Sequence, residues 1–463
     1  MHVYKERDVH RKILKNALFA AISLVPAIAA AQTPTGILAS PQVASLTGSD
    51  DISRFYTASK NAPIWFRAGQ AEAGPMLVNI LRRAPLDGFA RGPQLATDVE
   101  AALAKAQTGD PAAVQAAERV LSGAWISYVQ AIHAPTPGML YGEKWVTPVV
   151  PSSFAVMRQA LNAPSLSQHL KSVSDINPIY SALRDAAVNE AKKPGGGDSA
   201  RYAANLERVR SVPASGKFVL VDAATARLWM YEDGRPVDSM KVVVGDKDKL
   251  GLPTPMIASV IWYATFNPYW HVPDHLARKI ATKHAAGIDA YLKTNGYEVV
   301  SDWEATQILP ASSVNWKAVA DGTEHVKIRQ LPGATNSMGK LKFNFANPEG
   351  IYLHDTPTKV YFSQANRHLS NGCIRLEDAK RLGRWLMGRD AIAPSAAAEQ
   401  HVTLPAGIPV FVTYLTAQPS IGEPQLVRDV YGWDARSNIT TAMAVQAAGV
   451  GAGTGVAQGT ATN

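Results

Sequence analysis

The chain has 463 residues, 46% hydrophobic and 18% charged, a composition that excludes wholesale disorder and leaves room for two to four domains. The formal net charge is +8, but the first 31 residues hold five Lys/Arg and two Asp/Glu, so +5 remains beyond them. With so mild an excess, and no basic run interleaved with aromatics, a dedicated nucleic-acid binder is excluded.

The N-terminus divides into three parts. Lys5, Arg7, Arg11, Lys12 and Lys15 make a basic head, Ala17–Ile28 is apolar, and Ala29 and Ala31 stand as an A-x-A pair before Gln32. This is the layout of a secretory signal peptide over residues 1–31. The apolar part is shorter than the roughly 20 residues of a spanning helix. Export from the cytoplasm is expected; left uncleaved, the same segment would hold the chain at the inner membrane.

Residues 32–50 are small and polar and read as a flexible leader. From Asp51 the apolar spacing becomes helical: Met76, Leu77, Ile80, Leu81 and Ala84, then Val114, Ala117, Leu121, Ala124 and Tyr128 after Pro111, then Tyr180, Leu183 and Ala187 beyond Asn177-Pro178. A helical domain over 51–210 is predicted, with KKPGGGDS (192–199) as a flexible break near its end. From Lys217 the period shortens. Phe218–Asp222, Arg227–Tyr231, Met240–Val244 and Ser259–Phe266 read as strands, with a turn at Glu232-Asp233-Gly234. Lys340–Phe345, Gly350–His354 and Pro409–Leu415 form a second strand group. Between the groups lies 270–338, polar and irregular with a helix at Asp274–His284, and long insertions of this kind are lids or binding loops. Ala379, Leu382, Trp385 and Leu386 form one face of a later helix, with Glu377 and Asp378 at its start and Gly388 at its end. The tail, 436–463, is Ala/Gly/Thr-rich and reads as disordered; Gly451, Gly453 and Gly455 fail the spacing of a phosphate loop. The fold class expected is α+β: a helical domain followed by a mainly β, sandwich-like domain over 211–435.

Cys373 is the only cysteine. An exported thiol with no partner for a disulfide calls for a reactive role. It would attack acyl carbons as thiolate, with an imidazole taking and returning the proton and backbone N–H groups at the Gly372-Cys373 turn facing the oxyanion. Two histidines compete for the base, His354 at the end of a predicted strand and His368 in a polar loop. Asp355 could orient an imidazole or simply form a turn. Arg375 could bind a carboxylate or sit in a surface ion pair. His271 and His275 have i, i+4 spacing, but Pro273 between them argues against a metal-binding helix face.

The run Tyr352–Leu376, YLHDTPTKVYFSQANRHLSNGCIRL, resembles the active-site motif of the L,D-transpeptidases with a YkuD-type catalytic domain. NLERVR (205–210), VVVG (242–245), PTP (253–255), FNPYWHVP (266–273), VTYLTA (412–417) and RDVYGWD (428–434) are similar to the large periplasmic subclass, which has a helical scaffold region and a capping insertion, here 270–338. The resemblance covers 51–435. It implies Cys373 as nucleophile, His354 as proton donor and acceptor, and the Gly372 and Cys373 backbone as oxyanion hole. Arg375, Ser370, Asn371, Tyr352 and Trp270 would contact substrate. The family's histidine before Gly-Cys is Asn371 in this chain, and no peptidoglycan-binding repeat module is found. The implied location is the periplasm and the implied reaction is acyl transfer without a cofactor or metal. Cys373 would cleave D-Ala from a peptidoglycan tetrapeptide stem, and an amine of an acceptor stem would resolve the thioester into a 3-3 cross-link. Water as acceptor would give a carboxypeptidase or endopeptidase; a non-catalytic cell-wall-binding protein is the structural alternative. Carbapenem β-lactams would acylate the same thiol.

Overall fold

In the computed structural model, residues 50–418 and 424–436 are described; the predicted signal peptide, all of the leader but Asp50, and the tail from 437 on lie outside them. The described residues open with six α-helices: α1 (Asp50–Ala58), α2 (Ala73–Arg83), α3 (Gly92–Ala106), α4 (Pro111–Ile132), α5 (Ser153–Asn162) and α6 (Leu166–Ser174). Helix α4 begins as its sequence dictates. Asp110 caps it by accepting from the Ala113 N–H, and Pro111 occupies the first turn, where no amide partner is needed. Its predicted apolar face is inward, with Ala117, Leu121, Ala124 and Tyr128 all buried. One polar residue sits in this core by design of its neighbours. Glu118 accepts hydrogen bonds from the Tyr56 hydroxyl and from the backbone N–H groups of Ile64, Trp65 and Phe66, so its charge is compensated by four donors.

A short strand β1 (Leu140–Tyr141) follows α4, and helices α7 (Pro178–Ala191) and α8 (Ser199–Val209) lead into the sheet. The segment predicted as a flexible break is a single 3-10 turn, Pro194–Gly196, followed by α8. The Glu190 carboxylate pairs with Lys193 and accepts the Asp198 N–H there. Helix α8 is buried along most of its length because it packs on the sheet.

The sheet strands are β2 (Lys217–Asp222), β3 (Arg227–Glu232), β4 (Arg235–Gly245) and β5 (Ile257–Phe266). Asp233 and Gly234 have φ values of +47° and +77°, the paired positive angles of the predicted hairpin turn between β3 and β4. Residues 270–338 then fold on their own terms. They contain β6 (Trp270–His271), α9 (Asp274–His284), α10 (Ile288–Thr294), β7 (Tyr297–Val300), β8 (Ile308–Leu309), α11 (Trp316–Asp321) and β9 (Lys327–Gln330). The four strands form a separate sheet in the order β6-β9-β7-β8, over a core that includes Val272, Ala281, Leu292, Val299 and Ile328. This segment reads as irregular in sequence because its strands are only two to four residues long, too short for alternation to register.

The main sheet resumes with β10 (Leu341–Phe345), β11 (Leu353–His354), β12 (His368–Ser370) and β13 (Ile374–Leu376), then helix α12 (Ala379–Met387) and the long strand β14 (Gln400–Thr413). Neighbours run β5-β10-β11-β13-β4-β3-β2-β14, and β14 pairs again with β5, so the ladder closes on itself; β1 adds to β5 and β12 to β4. The expected α+β class, helices followed by a mainly β domain, is what is found. Strand β2 shows how the two halves are joined. Val219 and Val221 face the core inside the sheet, while Phe218 and Leu220 face the layer of α7 and α8 with Leu183, Leu206 and Val209. Burial on both faces explains the unbroken run FVLV. Among the described residues no helix is long and apolar enough to cross a membrane.

Candidate active site

Strand β11 is only two residues long, yet it centres the site. It pairs antiparallel with β10, placing Lys342 opposite His354, and parallel with β13, placing Arg375 opposite His354. Directly paired residues point to the same face of a sheet, with Cβ atoms about 5 Å apart. The result is a row, Lys342–His354–Arg375, in which an imidazole stands between two cations.

His354 is 2% exposed. Its Nδ1 lies 2.6 Å from the Asp355 carbonyl oxygen, which can only accept, so Nδ1 carries the hydrogen and Nε2 is left as the basic atom. Burial, then the charges of Arg375 and Lys342, push the imidazole pKa down to about 3, against the stabilising pull of Asp355. The resting ring is therefore neutral near pH 7. Asp355 helps first through its carbonyl and less through the charge of its carboxylate. The latter pairs with Lys359 at 2.8 Å and accepts the Lys340 N–H at 3.0 Å.

Cys373 heads β13, half-buried and unpaired. Its Sγ lies 3.9 Å from the Gly350 carbonyl oxygen and forms no hydrogen bond with His354. Burial raises the thiol pKa; the backbone amide and phenol of Tyr352, Lys342 and Arg375 favour the thiolate and oppose that rise. Tyr352 is shared between the thiol and the imidazole. Its ring stands edge-on to the His354 ring at 5.6 Å, and its hydroxyl interacts with the Cys373 sulfur and with Trp270 of β6. Thiol and imidazole thus have Tyr352, Lys342 and Arg375 as common neighbours, and Trp270 joins them to the 270–338 segment.

The turn before the thiol is built by Ser370. Its hydroxyl donates to the Cys373 carbonyl at 2.6 Å and accepts from the Gly372 N–H at 3.2 Å. Gly372 has φ +107°, and a Cβ there would come 3.1 Å from Ile351 Cδ1, so the position suits glycine alone. The two amides of the turn differ: the Gly372 N–H is engaged with Ser370 Oγ, whereas the Cys373 amide has no partner among the described residues. Ser370, expected from the sequence to contact substrate, is buried in this turn.

The remaining sequence-predicted residues divide by what surrounds them. Arg375 makes no ion pair among the described residues and lies over the Tyr361 ring at 5.2 Å. Asn371 is half-buried with no hydrogen bond of its side chain among the described residues. His368 has both ring nitrogens occupied, Nε2 with the Ala223 carbonyl and Nδ1 with Asn366 Oδ1, each at 2.9 Å, which leaves it no free base. His271 lies on β6 against Trp303, and His275 is exposed on α9. The residues that sequence reasoning missed are Lys342 and the props beneath the turn. Thr254 Oγ1 donates to the Gly372 carbonyl and accepts from the Gly245 N–H, and Tyr431 Oη donates to the Gly245 carbonyl. The signal for the props was present in the PTP and RDVYGWD motifs.

With the geometry in place, comparison with known proteins agrees on the class. Residues 216–411 match the YkuD L,D-transpeptidase catalytic domain, and residues 50–186 match the Scaffold domain. The chain thus carries an L,D-transpeptidase catalytic domain of the YkuD type, with a Scaffold domain ahead of it. It is 24% identical to a Haemophilus influenzae protein named "Putative L,D-transpeptidase", over 84% of this chain and 79% of that one. Among solved structures it is similar to an L,D-transpeptidase from Mycobacterium smegmatis (16% identity, 43% of this chain and 60% of that chain, TM-score 0.22). It is also similar to a mutant of the Enterococcus faecium L,D-transpeptidase (11%, 43% and 50%, TM-score 0.20). The chain spans about half the length of such solved chains.

Proposed function

We propose that the protein is a periplasmic, cysteine-dependent L,D-transpeptidase that forms 3-3 cross-links between peptidoglycan stems. The observation that supports this most is the row Lys342–His354–Arg375 beside Cys373, in which Nδ1 of the imidazole is anchored on a carbonyl and Nε2 is open. Cys373 gives its proton to His354 Nε2 and attacks the carbonyl carbon of the diamino acid in a donor tetrapeptide. The C–N bond breaks, and His354 returns the proton to the departing amine of D-Ala. The acyl group stays on sulfur as a thioester. An acceptor amine then attacks the same carbon, its proton passes to His354, the C–S bond breaks, and the thiol is reprotonated. The Cys373 amide supplies one donor to the tetrahedral oxygen. Two carboxylate-seeking cations flank the imidazole, as suits an anionic stem peptide.

The signal peptide reading places the reaction outside the cytoplasm, and retention of that segment would anchor the enzyme at the inner membrane. The test uses stem tetrapeptides with mass spectrometry of the products. Wild type should release D-Ala and form dimers linked through two diamino acids, and Cys373→Ala should do neither. Persistence of either product in Cys373→Ala would overturn the thiol mechanism. Monomeric tripeptide in place of dimers would reassign the acceptor to water, making the enzyme a carboxypeptidase. Peptide binding without any turnover by wild type would favour the wall-binding alternative. A carbapenem should add its mass to the intact wild-type protein and not to Cys373→Ala.

A further inference from the structure

Lys342 flanks the imidazole, and the substrate group it meets can be named. It lies on β10 in the sequence LKFNF, between Leu341 and Phe343, which are both fully enclosed. Its Nζ stands 4.6 Å from the centroid of the Tyr352 ring and makes no hydrogen bond or ion pair among the described residues. The carboxylate nearest in effect is Glu399, and that group is occupied by the Tyr269 N–H at 2.8 Å. Burial draws the ammonium below its ordinary pKa while Glu399 and Cys373 sustain its charge. A half-buried ammonium with no hydrogen-bonded anionic partner among the described residues is costly unless a ligand supplies one.

The strand order says which part of a ligand that would be. Arg375 lies on β13 and Cys373 stands immediately before that strand, so the acyl portion retained on sulfur lies on that side of His354. Lys342 lies on the opposite flank of the imidazole, across the β10–β11 ladder. The leaving amine must approach His354 Nε2 to receive its proton. In a peptide ending in a free amino acid, the terminal carboxylate is two bonds from that nitrogen. We propose that Lys342 binds the terminal carboxylate of the departing residue of the donor peptide, and so restricts donors to peptides with a free C-terminus one residue beyond the scissile bond. This rests on the transpeptidase reading for its substrate class. It adds a residue that touches the leaving group and sets donor length.

The experiment measures binding by calorimetry in the full chain carrying Cys373→Ala, so that turnover is not required. Two tetrapeptides are compared, one ending in D-Ala carboxylate and one in D-Ala carboxamide. The Cys373→Ala protein should prefer the carboxylate by about 10- to 100-fold, the range of a charge-assisted hydrogen bond. Adding Lys342→Met should erase that preference by weakening the carboxylate peptide alone, and adding Lys342→Arg should keep most of it. Circular dichroism and melting of both variants check that they fold; should Lys342→Met fail to fold, Lys342→Gln takes its place. An unchanged preference in the Met or Gln variant, equal weakening of both peptides, or no binding of either peptide to Cys373→Ala would each overturn the proposal. A parallel turnover assay with wild type reports on the transpeptidase reading separately. Absence of turnover alongside a Lys342-dependent carboxylate preference would sink that reading and leave the carboxylate site standing.

Discussion

His354 should make the protein selectively sensitive to mild acid. In the folded chain the imidazole is 2% exposed and lies between Lys342 and Arg375, with its pKa brought from 6.5 down to about 3. Once unfolded, the ring regains its ordinary pKa. Between these two values the unfolded chain binds a proton that the folded chain does not, so stability is full above about pH 6.5 and falls as the pH drops toward 3. The slope is about 1.4 kcal/mol per pH unit once the unfolded ring is fully protonated. Between pH 7 and pH 5 the integrated loss is about 2 kcal/mol, a large part of the 5–15 kcal/mol that holds a typical domain together. The assay is equilibrium urea unfolding of wild type and His354→Gln at both pH values. Glutamine can still donate to the Asp355 carbonyl but does not titrate. His169, His271 and His368, whose pKa values are also lowered by burial, are common to both proteins and cancel in the difference. Wild type should lose about 2 kcal/mol more than the variant on going to pH 5. Identical pH dependence in the two proteins would refute the depressed imidazole, and with it the argument that His354 rests neutral between two cations.

Ser370→Ala should cost about 1–3 kcal/mol, because it removes both the acceptor of the Gly372 N–H and the donor to the Cys373 carbonyl. Thermal melting reads the stability, and kcat should fall more than KM changes, since the thiol loses its fixed approach; an unaltered Tm would show that the turn holds itself. Glu118→Ala should destabilise by more than about 3 kcal/mol, as four donors lose their buried acceptor. The folded fraction should retain its rate constants, because Glu118 belongs to the helical half; urea unfolding and an activity assay below the transition check the two parts.

What could be seen in the sequence follows from what each feature needs. The strands β2, β3 and β5 announce themselves because their side chains are packed on at least one face, and the hairpin between β3 and β4 because only Asp-Gly types tolerate two positive φ values. Cys373 stands out as a single residue of its type. Lys342 does not, because one lysine in LKFNF looks like the solvent side of an alternating strand. Only the cross-strand register turns it inward beside His354. The engagement of the Gly372 amide was equally hidden, since it depends on the rotamer of Ser370 rather than on the residue types present.

The motifs that seemed scattered over the sequence are one object in space. VVVG ends at Gly245, PTP contains Thr254, the Ser370–Cys373 turn closes the active-site run, and RDVYGWD contains Tyr431. Thr254 bridges Gly245 to Gly372, Tyr431 binds both Gly245 and Thr254, and the Asp246 N–H donates to the Ser370 carbonyl. The ring of Tyr431 also lies edge-on to His368 at 5.5 Å, whose own two nitrogens bind Ala223 and Asn366. Four segments separated by nearly two hundred residues thus saturate one another's polar groups under a turn that must present a thiol at a fixed angle. A polar network of this kind is stable only when every member is satisfied. That requirement explains why so many spaced residues beyond Cys373 and His354 take part in the pattern.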